Sequence, residues 1–384
     1  MKRRHLLRAA PALLAGASAL AQADTESPQQ PVRFAPSRSA TLAPVRASAD
    51  RLIDIEVCTR PFRPQGPRIE AQQLHGKHVV HHYGHGGSGW SLSWGSARVA
   101  LPLILADKPR RIAVIGCGAI GLTTARVAQD AGLKVRIYCK ERPPEVASSR
   151  ATGLWTPDSR ICAAEHATPA FRQRWEWMAR SGFRTYQSLL GIAGEPVQWR
   201  DGYVLWNDDQ PGSEPPGEPD YPDLYTQIPD LRPRPVNLQP HEHPFKVQHA
   251  RRITQMVFNL ASYQRLLLED FLRNGGEIVH QEFANARELA RLPERTIVNC
   301  TGYGARALFG DETLVPVRGQ TARLIPQPEV DYMVFWRGHN LSMVPRSDGL
   351  LVQSQGEHDF GNADASIDRA QSVAAVERLA ELFG

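Results

Sequence analysis

The sequence predicts an α/β fold with two parts, one organised around a parallel sheet and the other mainly antiparallel. Three observations indicate this. The chain has 384 residues, which is enough for two domains. Residues 110–140 alternate strand, helix and strand, and short strand-like segments return beyond residue 320. Hydrophobic residues make up 42% of the chain, so a packed core is expected.

The N-terminal residues resemble a secretory signal. Lys2, Arg3 and Arg4 precede an apolar stretch at 6–20, and residues 21–23 form a small-x-small cleavage site. The paired arginines resemble the twin-arginine type, although an ordinary Sec signal with a basic start remains an alternative. We therefore expect export to the periplasm. No other apolar stretch is long enough to span a membrane, so we expect no span in the mature chain.

The charges, cysteines and histidines exclude other classes of protein. The formal net charge of +5 is modest and Lys and Arg are scattered, which argues against nucleic-acid binding. No CxxC or HExxH occurs, so no metal site is expected. An odd number of cysteines without close spacing fits a disulfide framework poorly, and we expect reduced, mostly buried thiols. The five cysteines are Cys58, Cys117, Cys139, Cys162 and Cys300.

The first patterned region follows a stretch rich in Pro, Ser, Ala and Gln, which predicts a linker. Alternating residues at 53–57 predict a strand, a Pro-rich turn follows, and a second short strand is predicted at 77–82. A glycine-dense loop at 84–89 and a helix at 91–105 come next. Because the loop leads directly into a helix N-terminus, the junction is a candidate site for negative charge.

Residues 111–138 contain the clearest local pattern. A buried strand at 111–115 is followed by the GxGxxG sequence at 116–121, a helix at 122–130 and a second strand at 135–138. In such a unit the first glycine permits the tight turn, the second lets the backbone approach a pyrophosphate, and the third lets the helix pack on the strand. The sequence therefore predicts a Rossmann-like dinucleotide site. This motif alone does not distinguish NAD from FAD.

The rest of the chain completes the two parts. Residues 160–250 are rich in Trp, Arg and Pro, which suggests a substrate or cap region. A helix at 263–274 and a strand at 296–299 return to the nucleotide-binding part, and a helix at 366–383 closes the pattern. In chain order, the predicted segments are a signal peptide (1–23), a linker (24–50), a strand, loop and helix segment (51–106), the βαβ unit (107–160), a substrate or cap region (161–250), a continuation of the nucleotide-binding part (251–320), and further strands with a closing helix (321–384).

Two further segments select the flavin. Residues 147–157 (ASSRATGLWTP) and 297–302 (IVNCTG) are similar to the D-amino-acid oxidase family, in which the first wraps the flavin and the second approaches the cofactor near the pyrophosphate and adenosine. The resemblance implies FAD as the cofactor, an α-amino acid as substrate and oxygen as the electron acceptor.

The order of the segments departs from that family. There, an arginine-proline strand and a His-Gly-Gly loop with a last helix follow the closing helix. Here, Thr59-Arg60-Pro61-Phe62-Arg63-Pro64 and the loop from Tyr83 to Gly95 precede the βαβ unit. Joining Gly384 to Arg51 would restore the family order. The sequence therefore resembles a circular permutant in which 51–106 is the relocated C-terminal segment.

The resemblance assigns roles to residues of the substrate site. Arg60 matches the residue that holds the substrate carboxylate, a task suited to the planar guanidinium fork. Gly87 matches the position whose carbonyl accepts a hydrogen bond from the substrate amine. Ser342 stands where the family usually has a tyrosine that also touches the carboxylate, and a second lid tyrosine has no match at 335–340. The shape of the pocket and the preferred substrate are therefore open.

The cofactor positions come from the motifs and the resemblance together. Ser91 replaces the family threonine near the flavin, Phe283 falls at the apolar adenine side, and Glu141, slightly late for the position, is the candidate for the ribose. The assigned positions are Gly86, Gly87, Ser88, Gly89, Ser91, Gly116, Gly118, Ala119, Ile120, Gly121, Lys140, Glu141, Ser148, Ser149, Gly153, Leu154, Thr156, Phe283, Thr301 and Gly302.

The expected activity is FAD-dependent oxidative deamination of an amino acid, with D-amino acids favoured by the resemblance. A flavin dehydrogenase or a glycine or secondary-amine oxidase is the first alternative. A second is a flavin-binding or substrate-binding protein without catalysis, which the missing lid tyrosine would favour. A nicotinamide dehydrogenase is disfavoured by the two flavin segments.

Overall fold

The computed structural model describes residues 42–209 and 217–383. The signal segment and most of the predicted linker lie outside the described residues. Within the described part, the chain forms two sheets. No helix among the described residues is long and apolar enough to cross a membrane.

The first sheet is mainly parallel. Its strands are β2 (Arg68–Leu74), β3 (Lys77–Tyr83), β4 (Arg111–Ile115), β5 (Lys134–Cys139), β9 (Glu277–His280) and β10 (Thr296–Asn299). They lie in the order β2-β3-β10-β4-β5-β9, and only β2 runs antiparallel to its neighbour. Continuous apolar sequence such as Ile112–Ile115 suits strands buried on both faces. The carboxyl ends of five strands therefore meet at one edge, where α/β folds bind ligands.

The helices are α1 (Gly89–Leu105), α2 (Ala119–Asp130), α3 (Pro169–Gln187), α4 (Leu260–Arg273), α5 (Ala305–Phe309) and α6 (Arg369–Ala380). Four of them, α1 to α4, contribute buried side chains to one large core, which also contains apolar residues of the parallel sheet. Helix α1 packs on both α2 and α3. The segment that precedes the βαβ unit in sequence is thus part of the same core.

The second sheet is mainly antiparallel. Its strands are β1 (Leu52–Phe62), β6 (Val197–Trp206), β7 (Val236–Leu238), β8 (His249–Phe258), β11 (Val315–Leu324), β12 (Met333–Trp336), β13 (Leu341–Arg346) and β14 (Gly349–Ser354). They lie in the order β1-β11-β14-β13-β12-β6-β8-β7, with β12 and β6 the parallel pair. The two predicted parts of the fold are therefore present, and each contains strands from distant regions of the chain.

The two faces of the second sheet have different surroundings. On one face, residues such as Met343 and Val352 pack against α6 and residues 42–47. The opposite face carries Arg60, Ser342 and Phe335. This follows from the strand register, because residues paired across neighbouring strands lie on the same face and every second residue along a strand points to that face. This face positions the predicted substrate residues.

Three predictions about local structure need correction. The linker prediction is wrong for residues 42–50, because Val45 is only 5% exposed and Gln327 Nε2 donates a hydrogen bond to the Pro44 carbonyl at 2.8 Å. The predicted Pro-rich turn after residue 57 is strand up to Phe62, held by antiparallel pairing with β11. Strand β2 is absent from the prediction because alternate polar residues on a sheet edge hide its pattern.

Candidate active site

The turn between β4 and α2 is shaped by its glycines. Gly116 has a φ of +104°, and a Cβ built on it would lie 2.6 Å from the carbonyl oxygen of Cys300. A Cβ on Gly121 would lie 2.0 Å from the carbonyl oxygen of Gly116. Both obstacles are backbone atoms, so a larger residue at either position would displace the turn. The turn thus needs the first and third glycines to keep its conformation.

The N-terminus of α2 is suited to an anion. No acidic side chain occupies its first turn, so nothing opposes the positive end of the helix dipole. Gly118 precedes the helix, and the Ala119 amide donates to the Ser148 hydroxyl at 3.0 Å. Ser148 therefore ties the predicted flavin segment to the glycine-rich turn.

The segment at 147–157 lies between both helices and the second sheet. The Ser148 carbonyl accepts a hydrogen bond from Trp90 Nε1 at 2.8 Å, and the Ser91 hydroxyl accepts one from the Thr156 amide at 2.7 Å. Gly153 has a φ of +85°, and its carbonyl accepts from the Phe258 amide at 2.6 Å. The flavin segment is therefore in direct contact with α1, with the glycine-rich turn before α2, and with β8.

The glycine loop before α1 leaves no room for a side chain at Gly86 or Gly87. A Cβ on Gly86 would lie 1.9 Å from the Arg160 carbonyl oxygen, and one on Gly87 would lie 2.3 Å from Ser159 Oγ. The Gly86 amide donates to the Pro61 carbonyl at 2.9 Å, and the Ser88 hydroxyl donates to the Ser159 carbonyl at 2.8 Å. The loop thus joins the strand that carries Arg60 to the loop that follows the flavin segment.

Arg60 lies on β1, half-buried among other charged residues. Its Nη1 donates to the Arg318 carbonyl at 2.9 Å and contacts Gln355 Oε1 at 3.4 Å. A Cβ built on Gly319 would lie 2.5 Å from Arg60 Nη2, so the glycine provides the space in which the guanidinium lies. Burial is the main cause that lowers the pKa of Arg60. The side chain is thus held at its base by neutral acceptors.

Two other arginines near Arg60 have carboxylate partners. Arg160 makes a bidentate pair with the buried carboxylate of Glu218, with distances of 2.9 and 2.7 Å. Arg318 pairs with the buried carboxylate of Asp359 at 3.4 Å. Among the described residues, no carboxylate pairs with Arg60. The cluster therefore contains three guanidinium groups and two carboxylates, with the charge of Arg60 left over.

The remaining substrate-site prediction, Ser342, lies on the same sheet face as Arg60. It is paired with Gln353 on β14 and with Phe335 on β12, and all three are partly exposed. A tyrosine at this position would reach farther across the face than serine. The face between Arg60 and Ser342 is therefore wider than the family pattern implies.

The remaining cofactor predictions lie along the carboxyl edge of the parallel sheet. Thr301 and Gly302 directly follow β10, and the Thr301 hydroxyl donates to Asn299 Oδ1 at 2.7 Å. Lys140 follows β5, with its Nζ 3.8 Å from Glu282. Phe283 packs edge-on against Tyr138, with ring centroids 6.2 Å apart. Glu141 is exposed next to Lys140.

Several functional candidates escaped sequence reasoning. Gln355 and Gly319 act on Arg60 through tertiary contacts, and Arg160 and Glu218 form a buried ion pair beside it. No short sequence pattern around these four residues could have revealed their contacts, because the partners are far apart in the sequence. The RGQ sequence at 318–320 does place a glycine between two polar residues, in what the structure shows to be strand β11, and a glycine inside a strand is a sign of a close approach.

The residues present fit a dinucleotide such as FAD. The glycine turn leaves backbone amides and the positive end of α2 at the carboxyl edge of the sheet, where a pyrophosphate is expected to bind. The Ser149 hydroxyl is buried and has no hydrogen-bond partner in the part of the chain that the structure describes. A buried hydroxyl without a partner is costly, which a cofactor acceptor would relieve.

Comparisons with known proteins agree with this fit. The family model described as FAD dependent oxidoreductase matches residues 111–384. The chain is 26% identical to a D-amino-acid oxidase of Rubrobacter xylanophilus, covering 71% of this chain and 77% of the relative. It is 24% identical to a D-amino-acid oxidase of Dictyostelium discoideum, covering 70% and 73%. The crystal structure of glycine oxidase from Geobacillus kaustophilus shares the fold, with a TM-score of 0.50 and 16% identity, covering 71% of this chain and 78% of that one.

Proposed function

Because this chain belongs to the FAD-dependent oxidoreductase family, we propose that it is an amino-acid oxidase whose substrate is a D-amino acid. FAD is its cofactor. The products are an imino acid, which water converts to a 2-oxo acid and ammonia, and hydrogen peroxide. The two relatives at 26% and 24% identity are D-amino-acid oxidases, which supports the D-preference.

The observation that carries this proposal is the charge of Arg60. Each of the two neighbouring arginines has a carboxylate partner, whereas within 42–209 and 217–383 the contacts of Arg60 are with a carbonyl and an amide oxygen. A substrate carboxylate would complete the charge balance of the cluster. The guanidinium fork can donate two charge-assisted hydrogen bonds to it.

The chain's own residues bind and orient the substrate. Arg60 holds the carboxylate, and the Gly87 carbonyl accepts a hydrogen bond from the amine. Two fixed points leave the α-carbon in a defined orientation, which is the main contribution a positioning site can make. When bound, FAD supplies the electron acceptor for the hydride of the α-carbon. The N-terminal amides of α1 favour negative charge near the loop at 86–91.

The charge balance also indicates the substrate class. One carboxylate neutralises the cluster, whereas a second carboxylate on the substrate side chain would leave it negative. We therefore expect amino acids with neutral side chains to bind better than aspartate or glutamate. Ser342 and Phe335 provide a wide, partly apolar face for such a side chain.

The test is anaerobic titration of the yellow protein with a panel of D- and L-amino acids, followed by exposure to oxygen. We expect bleaching of the flavin absorbance by neutral D-amino acids and rapid return of the colour with oxygen. Bleaching without oxygen-dependent recovery would indicate a dehydrogenase. A flavin that no amino acid bleaches would reject the proposal.

We also propose that the chain is a circular permutant of the family fold, with 51–106 as the relocated segment. Three observations support it. The in-order family match begins at residue 111, after the Arg60 strand and the glycine loop. Strand β1 pairs with β11 along its length. Helix α6 contacts the short helix Ala49–Arg51, and Phe383 and Leu52 belong to one apolar cluster.

Export through the twin-arginine route is a further proposal, supported by the sequence at 1–23 alone. A double Arg3→Lys and Arg4→Lys variant should accumulate in the cytoplasm, since that route reads the arginine pair. Cell fractionation with flavin measurement of each fraction provides the test. Unchanged export would favour the Sec route.

A further inference from the structure

Three of the five cysteines gather at the carboxyl edge of the parallel sheet. Cys139 ends β5, Cys117 follows β4 within the glycine turn, and Cys300 follows β10. These strands are direct neighbours in the sheet, and all three side chains belong to the same core cluster. This arrangement lies beside the turn expected to hold the cofactor pyrophosphate.

Cys117 and Cys139 are the pair in contact. In the β4–β5 pairing Ile115 is opposite Tyr138, and the Gly116 amide donates to the Tyr138 carbonyl at 2.8 Å. Cys139 directly follows Tyr138 and Cys117 directly follows Gly116, so both cysteines lie at the end of this pairing, and their thiols are hydrogen-bond neighbours. The contact between the thiols leaves the two sulfurs close enough to form a disulfide, whose S–S bond is about 2.05 Å long. Cys300 differs, because its thiol points to Thr124 Oγ1 at 3.9 Å.

We propose that Cys117 and Cys139 form a redox-active dithiol that hydrogen peroxide converts to a disulfide. The proposal rests on the proposed function only for the natural source of peroxide. Both thiols are nearly buried, 2% and 6% exposed, so a water-sized oxidant suits them better than a bulky one. The site lies on the protein that would generate this oxidant, next to its cofactor turn.

The chemistry balances with peroxide as the oxidant. The Cys139 sulfur attacks one peroxide oxygen, the O–O bond breaks, and a sulfenic acid and water form once the thiol proton is transferred. The Cys117 sulfur then attacks the sulfenic sulfur, the S–O bond breaks, and a second water leaves with the remaining proton. Both sulfurs are oxidised and both peroxide oxygens are reduced. The thiol of Cys117 and the cation of Arg142 lower the pKa of Cys139, which favours it as the attacking sulfur.

The disulfide would protect the thiols of the turn from irreversible oxidation and would also cross-link the turn to β5. A lone cysteine can be oxidised further to an irreversible acid, whereas a neighbouring thiol converts the first product to a reducible disulfide. A negative acid group next to Gly116 would oppose a pyrophosphate. The bond closes the loop from 117 to 139, so the oxidised protein should also unfold at a temperature several degrees higher.

The test treats the flavin-loaded full chain with added hydrogen peroxide, so that its outcome does not depend on turnover. Thiols are then alkylated in denaturant and the peptides mapped by mass spectrometry. We expect loss of two alkylatable thiols, a Cys117–Cys139 linked peptide, and recovery with dithiothreitol. Cys117→Ala and Cys139→Ala should lack the linked peptide. The matched control Cys162→Ala removes a buried thiol from the loop between β5 and α3, away from the three strand ends, and should behave as the unmodified chain.

The proposal is overturned if both thiols remain alkylatable in the unmodified chain after peroxide, or if the lost thiols map elsewhere. This outcome is readable even if a variant fails to fold. A second arm replaces added peroxide by turnover with the best amino acid in air. If added peroxide forms the disulfide and turnover does not, the oxidase assignment fails while the dithiol stands.

Discussion

The three arginines around the proposed substrate site differ in which groups neutralise their charges. Arg160 and Arg318 each contact a buried carboxylate, while Arg60 is held by the Arg318 carbonyl and Gln355. A half-buried guanidinium without a counter-ion among the described residues is costly to maintain, which supports a ligand charge at this position. The residue-scale predictions therefore concern Arg60 and the atoms that hold it.

Arg60→Ala should weaken substrate binding and leave FAD bound. Loss of one partner of a desolvated charge pair costs about 2–5 kcal/mol of apparent affinity. Arg60→Lys should recover only part of this, because an ammonium cannot reproduce the planar fork. Anaerobic bleaching titrations with the best amino acid measure the effect. Unchanged affinity in Arg60→Ala would remove Arg60 from the site.

Gly319→Ala, on the neighbouring strand β11, should also weaken substrate binding, because it displaces the Arg60 side chain. The added methyl would lie 2.5 Å from Arg60 Nη2, so the flexible guanidinium must move. We expect weaker substrate binding with the flavin retained and the unfolding temperature little changed. Gly304→Ala is the matched control, because its methyl would meet the nearest atom at 3.6 Å. Equal affinity in Gly319→Ala and the control would show that Arg60 does not depend on this space.

A buried histidine pair makes stability depend on pH. His85 is 2% exposed and packs edge-on against His82, with ring centroids 5.2 Å apart. Burial lowers the pKa of His85 from 6.5 to about 3, and burial and the neighbouring ring also lower the pKa of His82. The unfolded chain therefore binds protons below pH 6.5 that the folded chain does not.

The free energy of unfolding should fall as the pH drops from 6.5 towards 3, by about 1.4 kcal/mol per pH unit for each such histidine. Above this window His85 contributes no pH dependence, because it is neutral in both states. Denaturant unfolding at several pH values checks this. His85→Asn should reduce the slope of the unfolding free energy against pH by the amount that corresponds to about one proton. An unchanged slope would mean that folded His85 takes up a proton in this range.

At the scale of secondary structure, the cofactor turn depends on contacts between elements. Strand β4, helix α2 and strand β10 approach so closely that Gly121 faces the Gly116 carbonyl and Gly116 faces the Cys300 carbonyl. The segment at 147–157 then connects this turn to α1 through Ser148 and Trp90. A substitution that displaces one of these elements should therefore weaken cofactor binding.

Gly121→Ala should abolish flavin binding while the sheets remain folded. Its methyl would lie 2.0 Å from a backbone oxygen, so the turn must move away from the position that supports a pyrophosphate. The ratio of flavin to protein absorbance after gel filtration measures the loss, with circular dichroism reporting the fold. Gly304→Ala should keep its flavin. A yellow Gly121→Ala protein would contradict the assignment of this turn to the cofactor.

At the scale of the whole molecule, the proposed permutation predicts that the family order of segments also folds. The rearranged chain would contain residues 107–383, a short Gly/Ser linker, and residues 42–106. The segment at 42–50 stays attached because Val45 is in the core beneath α6. We expect flavin binding and substrate bleaching like those of the natural order, since chain ends that lie close together tolerate relocation.

Flavin content and the bleaching titration test the rearranged chain. A control opened between Ile115 and Gly116 breaks the cofactor turn and should lose the flavin. If the family-order chain is soluble but behaves like this control, the permutation is wrong. An insoluble family-order chain would count against it as well, because the same contacts are available to it.

Much of this protein could be predicted from its sequence because the relevant signals are local. The strand, GxGxxG turn and helix at 111–130 lie within one short stretch, and Gly121 is required by a contact inside it, with the Gly116 carbonyl, whereas Gly116 faces the distant Cys300 carbonyl. The strand at 296–299 and the helix at 91–105 are close to the structure, where the helix begins at Gly89. In the structure these elements contact the segment at 147–157, which bonds to α1 through Trp90 and to the start of α2 through Ala119.

Tertiary structure alone decided how distant residues meet. Arg60 contacts the carbonyl of a residue 258 positions away, and its space comes from Gly319 on the next strand. Cys117 and Cys139 are adjacent only because the parallel register pairs β4 with β5. The physical reason is that sequence patterns report burial and turn geometry within an element, whereas sheet order and register determine which charges and thiols lie side by side.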